Sequence, residues 1–158
     1  MRLVELFDKP ATTWKWHDTG MGWAAVFKLG GRDYHVDMSG MPMFDMADDM
    51  HDQGLELPPE IEAIAKTDPV IYDASFYLHT GHEETSWQIS GTGNEYKVFA
   101  TVMAIIKEFL TKEPDTEYIH MAASEPSRIK LYNRMARASG MAVLTFKTEN
   151  EQRYLLKV

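Results

Sequence analysis

The sequence WQISGTGNE at residues 87–95, followed by VFATVMAIIKEFL at residues 98–110, gives the clearest indication of the fold of this chain. The first part indicates a short strand that ends in a glycine turn, and the second indicates a long apolar helix. Thr92 and Glu95 have the spacing of a capping box, which marks a helix start. A glycine turn that opens a helix presents free backbone N–H groups and the positive end of the helix dipole. Both favour a phosphate-bearing ligand.

The region before this unit is mostly typical of strands. Leu3–Phe7 is one candidate. Gly22–Leu29 and Arg32–Met38 are separated by two glycines, which indicates a hairpin. In the second of these runs apolar and polar side chains alternate, as in a half-buried strand. Trp14 and Trp16 also alternate and would share one face of a strand, either in core or sheet-edge packing or in contact with a partner.

Residues 39–68 interrupt the strands with an acidic, methionine-rich excursion that is partly helical in pattern. Its clearest element is a short helix near Pro59–Lys66, with proline in the first turn. Methionines adapt to irregular surroundings, so those of the excursion either fill a loose core or form a contact surface for a viral or host protein. Four aspartates in the excursion lack the spacing of a calcium loop, and no metal site is predicted: Asp45, Asp48, Asp49 and Asp52.

The second half of the chain combines strands with helices. The predicted elements are a strand at Val70–Leu78, a returning strand at Ser86–Ser90, the apolar helix at about 94–112, a strand at Glu117–Ala123, a helix at Pro126–Ser139 and a closing hairpin. The strand after the apolar helix is predicted to run parallel to the one before it. The sequence therefore predicts a single α/β domain over residues 1–158, with a mixed, mostly antiparallel twisted sheet around a central strand–helix–strand unit.

Composition narrows the classes of function. The chain has 158 residues and no cysteine, which fits one domain and excludes disulfides, a thiol nucleophile and thiolate metal sites. Its net charge of −8 argues against general DNA binding, which needs a cationic surface. No run of eighteen apolar residues is present, so no membrane span is predicted. The N-terminal apolar run is too short for a signal peptide.

The residues of the glycine turn resemble a known family. Gln88-x-x-Gly91-x-Gly93, between a strand and a helix, is similar to the Q/R-x-x-G-x-G/A loop of the GNAT superfamily of N-acetyltransferases. The elements from there to Val158 resemble the second half of the GNAT fold, and Leu131-Tyr132 resembles the Leu-Tyr pair of the family. Asn94–Lys97 departs from the family, which has small or apolar residues there, and Glu95 adds a negative charge.

This resemblance implies a cofactor and two sets of site residues. The cofactor is acetyl-CoA, with its pantetheine arm between the strands that precede and follow the apolar helix. Tyr132 is implied as the general acid that protonates the departing thiolate. The pyrophosphate would bind to the loop residues Gln88, Gly91, Thr92, Gly93 and Asn94.

A second resemblance concerns the origin of the chain. Val98–Ala136 is similar to small uncharacterised bacteriophage proteins that carry a Ser-Arg-x-Lys-Leu-Tyr-x-Arg segment, here Ser127–Arg134. Two functions follow as expectations. One is an acyl-CoA-dependent N-acyltransferase of phage origin that transfers an acetyl group to an amine. The other is a non-catalytic phage protein with a GNAT-like fold, acting as a virion component or host-interaction factor. The expected location is the host cytoplasm or the virion.

For several side chains the sequence leaves two possible roles open. Tyr132 shares a helix face with Ile129 and Ala136, so it is either the acid or a core residue. The general base should lie near Tyr132, and it stays open among His82, Glu83, Glu84 and His120. A basic stripe on the same helix is either a solvated face or a site for an acidic partner or phosphate: Lys130, Arg134 and Arg137. Arg128 would face the helix N-terminus or a partner.

Overall fold

The computed structural model describes residues 10–79, 85–86, 95–148 and 150–158. These ranges contain eight strands: β1 (Trp14–Asp18), β2 (Gly22–Leu29), β3 (Arg32–Gly40), β4 (Ile71–His79), β5 (Thr85–Ser86), β6 (Tyr118–Ala123), β7 (Ala142–Lys147) and β8 (Gln152–Lys157). They also contain four helices: α1 (Met43–Asp52), α2 (Pro59–Ala65), α3 (Glu95–Lys112) and α4 (Pro126–Ser139). The predicted strand Leu3–Phe7 lies outside the described residues. No helix among the described residues is long and apolar enough to cross a membrane.

The strands form one mixed sheet in the order β1-β2-β3-β4-β6-β8-β7, with β5 paired to the end of β4. Every neighbouring pair is antiparallel except β4 and β6, which are parallel. The chain passes from β4 to β6 through α3, because parallel neighbours need a long crossover. The predicted α/β class, with a mostly antiparallel sheet around a strand–helix–strand unit, is confirmed.

One predicted strand orientation is wrong for the residues that the structure describes. The sequence predicts that the strand at 117–123 runs parallel to Ser86–Ser90, whereas β6 is parallel to β4 and pairs with it, from Ile71 opposite Tyr118 to Asp73 opposite His120. Within the described residues β5 covers only Thr85–Ser86 and pairs antiparallel with the last two residues of β4. The longer β4 carries the apolar residues that a central strand buries on both sheet faces, and it therefore takes the central position.

Helices α3 and α4 cover one face of the sheet. The apolar side chains of α3 recur at helical spacing, and Val98, Val102, Ile105 and Phe109 are each at most 1% exposed. They belong to the main core together with the inward residues of β2, β3, β4, β6 and β8. The alternation predicted for β3 is confirmed, because the inward side of that strand is buried in this core.

The excursion covers part of the opposite face. Met50 of α1 and Ile61 of α2 are buried in a second cluster with residues of β4, β7 and β8. Met38 is fully buried in the main core, and Met41 packs against the second cluster. The core interpretation is confirmed for Met41 and Met50 of the excursion, and Met38 directly before it is a core residue of β3. A contact surface on residues 39–68 stays a prediction.

The tryptophans near the N-terminus pack against α3. Trp14 and Trp16 lie on one face of β1, and their indole N–H groups both donate to Glu108, at 2.5 and 2.8 Å. Trp23 on β2 donates to Glu113 at 3.2 Å. The predicted sheet-edge packing is therefore confirmed, and it holds the outer strands onto the main helix.

Candidate functional site

Strands β4 and β6 separate partway along their length. Their residue pairing covers only Ile71–Asp73 of β4, although β4 continues to His79. A cavity of about 300 Å³ lies where they part, and we call it the β4–β6 cleft. Its volume is at the lower end of ligand pockets, which are roughly 300–1,000 Å³. It is lined by Asp73, Ala74, Ser75, Ala122, Ala123, Ser124, Glu125, Arg128, Tyr132 and Glu151.

Small side chains and one buried arginine account for the separation of the strands. Ala74, Ala122 and Ala123 leave space between the strands that larger residues would fill. The carbonyl of Phe76, beyond the last β4–β6 pair, accepts a hydrogen bond from Arg128 Nη1 at 3.1 Å. A buried carbonyl needs a partner, and here the arginine takes the role of a neighbouring strand. Arg128 therefore lies in the cleft wall, 6% exposed, and does not join the exposed basic stripe of α4.

Tyr132 reaches the same cleft from α4. Its side chain is 1% exposed and packs beside Phe76 and Tyr154 in the main core, and its role as an acid stays a prediction. Its hydroxyl oxygen accepts a bond from Arg128 at 3.4 Å. Burial raises the pKa of Tyr132, the positive charge of Arg128 lowers it, and the negative charge of Asp73 raises it further. Tyr132 is therefore neutral at neutral pH and keeps the proton that an acid must supply.

A row of polar side chains crosses the sheet where β4 and β6 part, and we call it the polar row. Its members are Asp73, His120, Arg153 and Glu151. His120 Nδ1 lies 2.6 Å from Asp73 Oδ1. His120 Nε2 lies 3.5 Å from Arg153 Nη1, and Arg153 Nη2 lies 3.2 Å from Glu151. The His120 side chain is 3% exposed and that of Asp73 is 37% exposed. Asp73 therefore faces the cleft, and His120 lies behind it.

Two helices begin at the edge of the sheet where the cleft opens. The α3 crossover leaves from the C-terminal end of β4, where β5 pairs, and α4 follows directly after β6. Phe99 near the start of α3 packs against Phe76 of β4, and Phe109 near its end packs against Tyr72, so α3 runs antiparallel to β4 and begins near the end of that strand. Pro126 occupies the first turn of α4, and Glu125 before it makes no side-chain cap bond. Helix N-termini favour anionic groups, and the phosphate site predicted directly before α3 lies outside the described residues.

The predicted site residues have different outcomes. Tyr132 lines the cleft, and His120 lies one hydrogen bond behind it. The predicted phosphate-binding residues and three base candidates lie outside the described residues: Gln88, Gly91, Thr92, Gly93, Asn94, His82, Glu83 and Glu84. Sequence reasoning missed Asp73, Glu151 and Arg153. The available signal for Asp73 was its charge, the only one in the strand Val70–Leu78.

Two further predictions concern charge and metal. The side chains of the basic stripe, Lys130, Arg134 and Arg137, are exposed on α4, as in a solvated helix face. A group of three or more histidine, aspartate or glutamate side chains able to hold a metal ion is absent from the part of the chain that the structure describes.

Fold and cleft define a mixed α/β protein whose candidate site lies between two diverging parallel strands. The chain belongs to a family of unknown function, DUF6934, whose model matches residues 61–147. The matched range contains β4, β6 and α4, and with them Asp73, His120 and Tyr132, but it ends before Arg153. No curated protein matches the chain.

Proposed function

We propose that this protein is an acyl-CoA-dependent N-acyltransferase with a GNAT-like fold, which transfers an acetyl or other short acyl group to an amine. The observation that carries the proposal is the β4–β6 cleft with Tyr132 in its wall. The GNAT resemblance implies a pantetheine arm between the strands on either side of the main helix, and the cleft lies between β4 and β6, which α3 connects.

The roles proposed for the cleft residues follow from their positions. The thioester end of the arm lies in the cleft, where the Tyr132 hydroxyl gives its proton to the departing thiolate. The oxygen of that hydroxyl accepts from Arg128, so its own hydrogen is not used in that bond. The pyrophosphate binds to residues 88–94, directly before α3, where the free N–H groups of a helix start favour it.

Strand order supports the fold part of the proposal. The parallel pair β4–β6 is joined by α3, α4 follows, and β8 lies between β6 and β7. The resemblance of the segment from Ser127 to Arg134 to phage proteins supports a phage origin. The alternative function, a non-catalytic phage protein, predicts no turnover of acyl-CoA, and the binding and turnover experiments below separate the two.

Calorimetric titration with acetyl-CoA and CoA tests the proposal. The wild-type protein is expected to bind both at micromolar strength. Ala122→Leu fills the cleft and is expected to weaken binding at least about tenfold, or roughly 1.4 kcal/mol. Gly93→Arg is expected to do the same by blocking the predicted phosphate loop. Ala142→Leu is the matched control, because Ala142 is an exposed strand residue away from the cleft.

A turnover assay then tests the role of Tyr132. With acetyl-CoA and a panel of peptide and polyamine acceptors, Tyr132→Phe is expected to lower kcat by about 10²-fold, because a positioned acid contributes roughly 10²–10⁴-fold. Its affinity for acetyl-CoA should stay within about twofold of wild type, a change of less than 1 kcal/mol. The proposal is wrong if no heat is measured for wild type at high micromolar acetyl-CoA.

A further inference from the structure

We infer that Asp73 is the proton acceptor for the attacking amine, and that His120 and Arg153 are positioning residues that hold its carboxylate toward the cleft. The inference rests on the proposed function and names the base of the same site. Asp73 lies on the β4 wall of the cleft, and its partners lie on β6 and β8.

The direction of the hydrogen bonds follows from the donors that are present. An arginine guanidinium can only donate, so at 3.5 Å from Arg153 Nη1 the Nε2 atom of His120 is the acceptor. The proton of the neutral ring then sits on Nδ1, which donates to Asp73 Oδ1 at 2.6 Å. The chain of donors therefore runs from Arg153 through His120 to Asp73.

This arrangement distinguishes Asp73 from the other carboxylates of the cleft. Glu151 is paired with Arg153 at 3.2 Å, and Glu125 is exposed at the start of α4. Asp73 is backed by a nearly buried donor, and among the described residues only one of its oxygens makes such a contact. Its carboxylate is thus oriented from behind and keeps an oxygen for a proton in the cleft.

Asp73 and Tyr132 lie on two different walls of one cavity, which separates the base from the acid. Asp73 belongs to β4 and Tyr132 to α4, and the charge of Asp73 contributes to the raised pKa of Tyr132. As the amine nitrogen bonds to the thioester carbon, its proton passes to Asp73. The carbon–sulfur bond breaks, and the thiolate takes the proton of Tyr132. Asp73 then releases its proton to solvent and Tyr132 regains one from solvent, so both side chains return to their starting protonation states.

The charged groups around Asp73 determine how the pH profile is interpreted. The cleft and the polar row bring His120, Arg153, Arg128, Tyr132, Glu125 and Glu151 toward it, and its paired residue on β3 is the uncharged Ser39. The acidic limb of a profile of kcat against pH should therefore depend on Asp73 itself and change in the variants of His120.

Steady-state kinetics with acetyl-CoA and a reactive amine, across a range of pH, test the assignment. Asp73→Asn is expected to lower kcat by about 10²-fold and to remove the acidic limb, while acetyl-CoA affinity by calorimetry stays within about twofold. His120→Leu is expected to lower kcat by about tenfold and to shift that limb, and His120→Asn, whose amide can replace Nδ1–H, to restore part of the rate. Asp37→Asn is the matched control, an aspartate of the adjacent strand β3 that accepts from Tyr77 and is absent from the cleft lining.

A second measurement tests the hydrogen-bond chain without turnover. Nitrogen NMR of the His120 ring at neutral pH is expected to show a protonated Nδ1 and an unprotonated Nε2. A proton on Nε2 would overturn the role of His120 and Arg153. Unchanged kcat and pH profile in Asp73→Asn, in a protein that binds and turns over acetyl-CoA, would overturn the base alone. Absence of acetyl-CoA binding in wild type would overturn the proposed function and this assignment with it.

Discussion

The two ends of the junction between β4 and β6 differ in packing. At the closed end Ile71 and Ile119 are 2% and 1% exposed, and Ile71 belongs to one buried cluster with Ile61 from α2. At the open end alanine and serine line a cavity, and an arginine provides the bond to Phe76. Branched apolar side chains exclude water at one end, while small residues and a buried cation leave space at the other.

This difference shows how one pair of strands can both stabilise the fold and form the wall of a candidate binding site. The closed end belongs to two cores, one on each face of the sheet, and so the direction of β4 is well determined. Asp73 is the last residue of β4 paired with β6, and the cleft begins there. The polar row with His120 therefore sits beside the closely packed end of the cleft wall, where packing holds a reactive group in place.

The largest expected effect distinguishes the two ends by stability. Ile71→Ala at the closed end is expected to cost about 2–5 kcal/mol, because it leaves a cavity among buried neighbours. Ser75→Ala at the open end is expected to change stability by less than about 0.5 kcal/mol, since its side chain borders a cavity already present. Urea denaturation of both variants measures the difference. Equal losses would contradict the distinction.

A smaller effect is expected from the arginine that replaces a neighbouring strand. Arg128→Met keeps much of the side-chain volume but leaves the Phe76 carbonyl without this donor, at a cost of about 1–3 kcal/mol. Arg134→Met, an exposed position on the same helix, is the control and should stay within about 0.5 kcal/mol. The free energy of unfolding in urea is again the measurement. A neutral Arg128→Met would mean that the strands stay apart without the guanidinium.

The smallest expected effect concerns alkaline pH and tests whether the open end remains dry around Tyr132. Burial raises the pKa of the Tyr132 hydroxyl in the folded protein. The contribution of this group to the free energy of unfolding is therefore complete below about pH 10, the pKa of an unfolded tyrosine, and is lost as the pH rises toward the folded pKa. Each such tyrosine contributes a slope of up to about 1.4 kcal/mol per pH unit. The free energy of unfolding, measured between about pH 9 and 11, should fall less steeply with pH in Tyr132→Phe than in wild type.

The control for that measurement is Tyr77, whose pKa is raised to about 12 by burial and by Asp37, away from the cleft. Tyr77→Phe should also reduce the alkaline slope, and the effects of the two variants should add, because the residues occupy separate environments. If Tyr132→Phe leaves the slope as in wild type, then the hydroxyl is not buried in solution as it is in the structure.

Much of the fold could be predicted from local patterns. Alternation in β3 and the apolar spacing of α3 predicted which side chains are buried, because both periods follow directly from backbone geometry. The strand pairing of β6 could not be predicted in this way. Ser86–Ser90 and Val70–Leu78 both precede the helix, and the choice between them depends on contacts with β6 that lie more than forty residues away in sequence.

The candidate site was predictable only in part for the same reason. Tyr132 was found because it belongs to a local motif, and His120 was one candidate among several. Asp73, Arg128 and Arg153 come from different elements, and nothing near them in sequence indicates that Asp73 meets His120 or that Arg128 meets Phe76. Side-chain partners across a sheet depend on strand order and register, which only the assembled sheet defines.

The α/β class, the long apolar helix and the absence of cysteine chemistry could all be read from the sequence alone. These depend on composition and on the periodicity of neighbouring residues. The tertiary structure alone decided that β4 is the strand beside β6, that the two strands part after Asp73, and that a histidine and two arginines converge there. A cavity exists only where packing leaves it, and packing is a property of residues far apart in the chain.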